Sequence, residues 1–385
     1  MKSTTAVQEL NQTISAKLVT VGIYQKTFIP KNIFDSTLFA STNLNKVDEV
    51  LYMIFCRGNS PRFGAIFGRK GNQLFCPFSA PFGYIEMIRK EQSIEDFYET
   101  EEALEKIIRT LKIESCTFFL PPYFYDNFVI SGWYNTLFQK GWNVKYIDLN
   151  FALYLPECAN DYEKIIHHNA RKNLRISLEA GLALREAVTD DDRHTAYDII
   201  RQNRASKGYP LRMNEEQVMK TISVVPSHMY IVKSTDISTT STNCRSTVQR
   251  ASEEANETVI EKNIPNSSAI EKSFDKQVGE DIAAALVYDV TDDIAQVVYW
   301  GDIPGHAEKK VINFLAYQLI QIYHARGFRY LDIGPSTEEG EPNFGLCDFK
   351  DSIGCMRMAK VKFTKQFAAE GETVRKLGTE IPPHN

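Results

Sequence analysis

The segment 282–333 constrains the fold of this 385-residue chain more than any other stretch. Two β-prone runs, 283–289 and 295–300, come directly before a turn rich in glycine and proline at 301–305. Apolar residues then recur at helical spacing through 309–326, and another short strand follows at once. Because the first N–H groups of a helix are free and lie at the positive end of its dipole, this turn is a plausible phosphate site.

The composition is typical of a globular protein, and the length fits two domains. Hydrophobic residues make up 43% of the chain and charged residues 24%. A net charge of −5 argues against a general nucleic-acid binder, so no DNA partner is expected. Seven cysteines without metal-type spacing predict free thiols, a reducing compartment and no metal site. With no apolar leader and no run of about 18 apolar residues, the chain is predicted to be cytoplasmic, without membrane insertion.

Helices and strands alternate along both halves of the chain, and they do so in the same order. Each half contains two strands, a loop, a long helix (94–111 or 309–326), a strand, a second helix and a final strand. This order predicts an α/β fold in which one domain has been duplicated. The predicted domains are 1–155 and 156–367, with mixed sheets flanked by helices.

Two segments depart from this pattern. The segment 235–280 is rich in Ser, Thr, Asn, Glu and Lys and has no periodic apolar residues, so it is predicted to be a disordered insertion between two strands. A simple tether and a regulatory or binding segment are both possible roles for it. The segment 368–385 is predicted to be a frayed tail.

Three motifs in the second half resemble a known family. They are Asn-Ala-Arg-Lys-Asn-Leu-Arg at 169–175 followed by Ala-Gly-Leu-Ala-Leu-Arg at 180–185, Gly-Phe-Arg-Tyr-Leu-Asp-Ile-Gly at 327–334, and Gly-Leu-Cys-Asp-Phe-Lys-Asp-Ser-Ile-Gly at 345–354. In this order they resemble the FemABX-type branch of the GNAT acyltransferase superfamily, in which two GNAT-like domains are fused. The motifs span most of 160–365, whereas the first half joins the resemblance only through its element order.

The resemblance implies a transferase that moves an acyl group to an amine, with acyl-CoA or an aminoacyl-tRNA as donor. The CoA-loop pattern of GNAT proteins is not reproduced at 302–307, and the insertion lacks the heptads of a tRNA-gripping coiled-coil arm. The preferred prediction is N-acyl transfer from acyl-CoA, such as acetyl-CoA, to a small-molecule or peptide amine. One alternative is aminoacyl-tRNA-dependent transfer to a cell-wall precursor. Another is a non-catalytic module that binds a nucleotide-linked sugar or a protein.

Acyl transfer needs a neutral amine, a polarised donor carbonyl and a route for the proton. A backbone N–H of 297–300 can polarise the carbonyl without a diagnostic side chain. Asp302 and Asp332 are candidate general bases, with turn capping and structural pairing as their alternatives. Lys350 is the third catalytic candidate. By resemblance the Phe349-Lys350 pair stacks on the donor and stabilises it, while an exposed helix lysine is the alternative.

The remaining candidates are binding residues. Lys164, His168, Arg171 and Arg175 follow spacings of four, three and four, which predicts one basic helical face bordered by Lys172. Such a face either binds substrate phosphates or is simply solvated. The predicted substrate-binding residues are Phe349, Arg171, Lys172, Arg175, Tyr299 and Trp300, the last two having sheet packing as their alternative. The predicted donor-binding residues are Gly305, His306, Lys309 and Lys310.

Overall fold

The computed structural model describes residues 13–89, 92–235 and 279–367. Almost all of the predicted insertion 235–280 and the whole of the predicted tail 368–385 therefore lie outside the described residues. Residues 235, 279 and 280 are the exceptions at the insertion, and 235 and 279 face each other across the sheet. These two residues lie at the ends of two antiparallel strands. The prediction that the insertion connects two neighbouring strands is thus confirmed.

The first half contributes seven strands and four helices. They are β1 (Ile14–Val19), α1 (Val21–Thr27), α2 (Thr37–Ser41), β2 (Glu49–Arg57), β3 (Ser60–Lys70), β4 (Gln73–Cys76), β5 (Glu86–Met87), α3 (Ile94–Thr110), β6 (Ser115–Phe119), α4 (Asn127–Gln139) and β7 (Asn143–Tyr154). Helix α3 begins at Ser93, whose hydroxyl and the carboxylate of Asp96 form a capping box, so the predicted N-cap is confirmed. Strand β1 and helices α1 and α2 were not predicted, because the sequence before β2 shows little periodicity.

The second half follows without a linker. Its elements are α5 (Leu155–Ile165), α6 (His168–Glu179), β8 (Leu182–Glu186), α7 (Asp190–Ser206), α8 (Glu215–Ile222), β9 (Ser227–Thr235), β10 (Gly279–Asp289), β11 (Ile294–Asp302), α9 (Val311–Ala325), β12 (Tyr330–Pro335), β13 (Thr337–Glu338), β14 (Glu341–Pro342), α10 (Phe344–Ser352) and β15 (Met356–Gln366). None of the described helices combines the length and the hydropathy that crossing a bilayer requires.

Thirteen strands form one continuous mixed sheet, which confirms the predicted α/β class. The main path runs β1-β2-β3-β4-β6-β15-β7-β12-β11-β10-β9-β8, while β5 pairs with β3 at the side. Two neighbouring pairs are parallel, β4 with β6 and β11 with β12. Each parallel pair is connected by a long helix, α3 or α9. The predicted repeat of strand, helix and strand is therefore present in both halves.

The two halves share the strands at the centre of the sheet. The last strand, β15, lies between β6 and β7 of the first half and pairs antiparallel with both. In turn β7 pairs with β12 of the second half. Strands of each half are paired with strands of the other half, so the sheet itself does not mark a domain boundary. The division at residue 155 therefore stays a prediction.

Helices cover both faces of the sheet in the second half. Buried residues of α7 and α8 pack against one face of β10 and β11. Helices α5, α6 and α9 cover the opposite face, where Leu315, Leu319 and Tyr323 of α9 are fully buried. Burying a side chain of this size stabilises the fold by roughly 1.5–3 kcal/mol. The long apolar stripe of α9 therefore fixes the connection between β11 and β12.

Two details differ from the sequence-based expectation. The prediction of a single basic helical face is wrong, because the backbone is extended at Ile166 and His167, between α5 and α6. Lys164 and His168 consequently belong to different helices. The start of the long helix also differs. Residues 307–309 form a 3₁₀ turn, Lys310 adopts a left-handed backbone with φ 52°, and the α-helix begins at Val311.

Candidate functional site

The parallel strands β11 and β12 separate toward their carboxyl ends. They pair from Ile294 with Tyr330 to Gln296 with Asp332. Beyond this point β11 continues for six residues and β12 for three without a further pair between them. In the first half, by contrast, β4 is paired with β6 along its whole length. Strand ends that diverge in this way leave backbone groups facing a wedge-shaped gap.

A β-bulge lies on β11 where this gap begins. Val297 pairs with Val287 and Tyr299 with Leu286, so Val298 is the extra residue. Bulges bend a strand and redirect its groups, and they are common beside active sites. N–H groups along such an edge can donate to a carbonyl oxygen in the gap. The predicted role of 297–300 thus has a matching geometry and remains a prediction.

The end of β11 is attached to helix α7. The side-chain nitrogen of Asn203, a buried residue, donates to the carbonyl oxygen of Asp302 at 2.7 Å and to its carboxylate at 3.1 Å. Gly301 makes this approach possible, because a Cβ there would lie 2.4 Å from the Asn203 side chain. Asp302, one of the predicted bases, therefore anchors the strand that borders the gap.

Lys350 holds the end of the opposite strand. Its ammonium donates to the carbonyl oxygens of Ile333 at 3.0 Å, Gly334 at 2.9 Å and Pro335 at 3.1 Å. The side chain is 2% exposed, and this burial lowers its pKa to about 8. The alternative of an exposed helix lysine is wrong. All three donors of the ammonium are engaged, so Lys350 shapes the β12 edge of the gap.

Asp332 lies fully buried at the last paired position of β12. Its carboxylate accepts hydrogen bonds from the Tyr125 hydroxyl at 2.7 Å, the Asn150 amide at 2.7 Å and the Gln296 amide at 2.9 Å. A fourth comes from the Gly334 N–H at 2.8 Å. The donors come from the segment before α4 and from β7, β11 and β12. Asp332 therefore links segments of both halves of the chain at the point where β11 and β12 stop pairing.

The aromatic candidates lie on opposite faces of β11. The ring of Trp300 packs edge-on against Phe349 of α10, with 6.3 Å between ring centroids. Tyr299 faces α7, where the Arg204 guanidinium lies 5.6 Å from its ring centroid. Of the predicted substrate-binding aromatics, Trp300 and Phe349 thus come together beside Lys350. Tyr299 packs on the opposite face of the sheet, with the buried residues of α7 and α8.

The segment after β11 leads into the N-terminus of α9. Gly305 has a φ of 102°, which only glycine adopts readily. Lys310 occupies the N-cap position of α9, but it makes no side-chain cap hydrogen bond. The first N–H groups of this helix therefore lack a side-chain acceptor from the cap.

The two other donor-binding candidates already contact protein groups. The Lys309 ammonium donates to the Ser234 hydroxyl at the end of β9. The Nε2 atom of His306 lies 3.3 Å from the Glu280 carboxylate at the start of β10. These contacts tie the loop to the strand ends that flank the insertion, so both side chains position the loop.

The basic candidates of α6 bind the preceding helix instead of converging on the gap. Arg171 donates to the carbonyl oxygens of Glu163 at 2.6 Å and Ile166 at 3.3 Å. Arg175 donates to the Glu163 carboxylate at 2.6 Å, and Lys172 is exposed. Arg171 thereby satisfies carbonyl groups at the end of α5. The structure does not bring these residues to the site around Lys350.

A cavity of about 610 Å³ opens between α10 and the junction of α5 and α6. Its lining residues are Ile165, His167, Asp348, Asp351, Gly354, Cys355 and Arg357. Arg357 donates to both oxygens of the Asp351 carboxylate. This cavity was not predicted, because its walls come from segments almost 200 residues apart.

Metal ligands and disulfides are not found in the described part of the chain. No group of three or more His, Cys, Asp or Glu side chains is placed to hold a metal ion there. The six cysteines in that part are free thiols, and five of them are buried.

Several residues around the gap were missed from the sequence. Tyr125, Asn150 and Gln296 each reach Asp332 from a different part of the chain, and no local pattern marks them. Asn203 did carry a signal. It continues the buried positions of α7 after Ala196 and Ile200, so a polar residue occupies an inward position of that helix.

The comparisons with known proteins identify the fold. No protein-family model matches the sequence, and no curated protein matches it. Among solved structures, FemX aligns over 92% of this chain and 97% of its own, with a TM-score of 0.62 and 11% identity. The C-terminal domain of a putative lysylphosphatidylglycerol synthetase from Agrobacterium fabrum aligns over 89% and 91%, with a TM-score of 0.51 and 11% identity. A conserved protein of unknown function from Bacteroides thetaiotaomicron aligns over 91% and 98%, with a TM-score of 0.51 and 9% identity.

The described elements define a mixed α/β protein in which each half contributes one parallel strand pair to a shared sheet. Its fold is similar to that of FemX, so the FemABX-like fold expected from the three motifs is confirmed. At 11% identity the likeness establishes the fold alone.

Proposed function

We propose that this protein transfers an acyl group to an amine, and that the donor binds in the gap between β11 and β12. The observation that carries the proposal is the opened parallel pair with its bulge at Val298. The gap exposes a strand edge to a bound carbonyl. The fold shared with FemX supports the same chemistry. The likeness to a domain of a putative lysylphosphatidylglycerol synthetase supports transfer of an aminoacyl group, although phosphatidylglycerol would accept that group at a hydroxyl.

The chemistry requires little from side chains. A neutral amine attacks the donor carbonyl, and negative charge develops on its oxygen. N–H groups on the edge of β11 donate to that oxygen and stabilise the intermediate. The leaving thiol or hydroxyl departs with a proton, while the amine loses one. Positioned donors matter most here, because they need no reorganisation during the reaction.

Lys350, Asp332 and Asp302 act in this proposal as positioning residues. Lys350 donates hydrogen bonds to three carbonyl groups at the end of β12. Asp332 fixes the N–H of Gly334 and the last paired residue of β11. Asp302 holds the far end of β11 against α7. Together these contacts keep the two strand edges at a constant separation.

The preferred donor is an acyl-CoA. The turn at Gly305 and the N-terminus of α9 follow directly after the gap, and the N-cap residue, Lys310, adds a positive charge without capping the helix. Phosphate groups bind well at such helix ends. An aminoacyl-tRNA is the second candidate. It is favoured by the match to FemX, which spans almost the whole of both chains.

Calorimetric titration of the full chain with acetyl-CoA tests the preferred donor. We expect micromolar binding by the parent protein and at least about tenfold weaker binding by Lys310→Glu, because the substitution places a negative charge at the helix N-terminus. Lys112→Glu is the matched control. Lys112 also has a left-handed backbone, with φ 53°, but it follows α3 of the first half.

Filter binding with charged tRNA tests the second donor. Binding of charged tRNA without binding of acetyl-CoA would replace the preferred donor by the alternative. If neither donor binds, the proposed transfer reaction is wrong. Thermal unfolding with a UDP-linked sugar then tests the remaining alternative, a non-catalytic binding module.

A further inference from the structure

We propose that Lys360 and Lys362 form a binding site for an oxyanion, either a carboxylate or a phosphate, where the two halves share strands. Both lysines lie on β15 and point to the face on which Phe119 of β6 lies. Neither lysine lies on β11 or β12, although Asp332, at the last pair of those strands, is a charged neighbour of Lys360. The test below uses neither an acyl donor nor an amine, so its result does not depend on the proposed reaction.

The first observation is an almost fully buried lysine whose ammonium group has no polar partner among the described residues. Lys360 is 3% exposed, and it makes no hydrogen bond or ion pair with any residue that the structure describes. Its ammonium lies 4.2 Å from the centroid of the Phe119 ring. A cation–π contact offsets only part of the cost of removing an ammonium from water. The N–H donors of this ammonium are therefore available to a group that the described residues do not supply.

Lys350, the other buried lysine of the described residues, and Lys365, which is less buried, do have oxygen partners. The ammonium of Lys350 donates to three backbone carbonyl oxygens. On the same strand as Lys360, the ammonium of Lys365 pairs with the carboxylates of Glu101 and Glu105. Lys365 also lies against aromatic rings, donates to the carbonyl oxygen of Lys140 and has a side chain that is 18% exposed. The contrast indicates that oxygen atoms from a ligand complete the surroundings of Lys360.

Nearby carboxylates do not take this role. Asp148 is the direct partner of Lys360 across the sheet, yet the two side chains form no ion pair. One oxygen of Asp148 accepts hydrogen bonds from the Thr337 hydroxyl at 2.7 Å and the Gly340 N–H at 2.9 Å. Asp332 is occupied by four donors. Both acids thus accept hydrogen bonds from groups other than Lys360.

A second cation lies beside the first. The Lys362 ammonium is 5.7 Å from the centroid of the same Phe119 ring and 3.1 Å from the Tyr146 hydroxyl. Burial, with Lys362 and Arg212 as positive neighbours, lowers the pKa of Lys360 to about 8, so the group is still mainly charged at neutral pH. Two like charges over one ring repel each other, and an oxyanion with two or more oxygens can bridge them with charge-assisted hydrogen bonds.

Thermal unfolding of the full chain tests the site. The unfolding midpoint is measured in chloride and then with the chloride replaced, at constant ionic strength, by inorganic phosphate or by acetate. We expect the midpoint of the parent protein to rise with the concentration of at least one of these anions. Lys360→Met should lose this specific rise, while Lys365→Met should keep it. A rise shared by all variants is the general effect of phosphate on protein surfaces and is subtracted.

The two anions separate the possible ligands. A specific rise with phosphate alone indicates a phosphate-bearing ligand, and a rise with acetate as well indicates a carboxylate. An equal response of the parent and Lys360→Met, or no specific response of the parent, overturns the proposal. If Lys360→Met does not fold, NMR of ¹⁵N-labelled lysines in the parent decides. The Lys360 ammonium must then titrate at a higher pH in the presence of the anion.

Discussion

The Lys350 ammonium donates a hydrogen bond of 2.9 Å to the carbonyl oxygen of Gly334, the residue whose own N–H donates to Asp332 at 2.8 Å. Both backbone polar groups of Gly334 are therefore hydrogen-bonded to buried side chains, the carbonyl oxygen to Lys350 and the N–H to Asp332. Gly334 has a φ of 72°, a backbone conformation that side chains with a Cβ rarely adopt. The end of β12 is thus fixed where it leaves β11.

Replacing Lys350 by methionine should release the end of β12. Three carbonyl groups lose their donor, and the buried charge that they compensated is removed as well. We expect a loss of about 2 kcal/mol in the free energy of unfolding, measured with urea. Lys172→Met, at an exposed position, should change it by less than about 0.5 kcal/mol. Equal stability of the two variants would show that Lys350 does not hold this strand.

The contact between Tyr125 and Asp332 should couple the two halves energetically. Tyr125→Phe removes one donor, which should cost about 1–2 kcal/mol because the acceptor is a buried carboxylate. Asp332→Asn weakens all four contacts and should cost about 3 kcal/mol. In a double-mutant cycle of urea unfolding we expect a coupling energy of at least about 1 kcal/mol. Additive effects would contradict a direct interaction.

The pairing of His228 predicts a loss of stability in alkaline solution. Contacts with Asp289 and Glu186 raise the pKa of the His228 imidazole to about 9. Because the folded pKa exceeds the ordinary value of 6.5, the stabilisation is complete below about pH 6.5 and disappears as the pH rises through about 9. The parent should therefore exceed His228→Gln in urea unfolding by about 1–2 kcal/mol near pH 6, with little difference near pH 9.5. A difference that does not change with pH would rule out this linkage.

The unpaired charge of Lys360 predicts the opposite pH dependence. Its pKa is lowered from 10.5 to about 8, so between these values the unfolded chain binds more protons than the folded one, and stability rises with pH. Without an anion, Lys360→Met should be more stable than the parent near pH 7, by up to about 3 kcal/mol at about 1.4 kcal/mol per pKa unit.

This advantage of Lys360→Met should shrink as the pH rises from about 8 to about 10.5. The charged groups that face Lys360 are Asp332, Asp148, Arg212 and Lys362. They are present in both proteins, so the difference isolates the lysine. A parent that is more stable than the variant at neutral pH would contradict the account.

The left-handed backbone of Lys310 predicts that Lys310→Gly stabilises the fold but weakens donor binding. A non-glycine residue at φ 52° is strained, so Lys310→Gly should stabilise the fold by about 1 kcal/mol. Because the same change removes a positive charge beside the α9 N-terminus, it should also weaken the binding of acetyl-CoA. Lys112→Gly should give a similar gain in thermal stability without any effect on binding. Equal binding by both variants would exclude Lys310 from the donor site.

Local periodicity predicted the elements that carry one strong pattern. Helix α9 and its flanking strands were recognised because apolar residues recur at helical spacing through most of 309–326. The antiparallel strands at either end of the insertion were recognised for a similar reason. The order of helices and strands can be read from local segments of the sequence. Its repetition in the two halves therefore predicted the tandem architecture.

Contacts between distant segments could not be predicted in this way. The insertion of β15 between β6 and β7 joins residues more than 200 positions apart. Lys360, Lys362 and Thr364 place polar residues at alternate positions of β15, a pattern typical of a solvent-facing strand, yet Lys360 is buried. Lys350 likewise resembles an exposed helix residue until the end of β12 is placed beside it.

Hydrogen–deuterium exchange of the full chain, with and without acetyl-CoA or charged tRNA, tests the central claim most directly. That claim is that the donor carbonyl binds the edge of β11 in the gap beside β12. We predict slower exchange in peptides covering Val298 to Gly301 and the start of α9, and no change in β4 and β6, the equivalent pair of the first half. Protection of β4 and β6 instead, or no protection of β11 by either donor, would contradict the account.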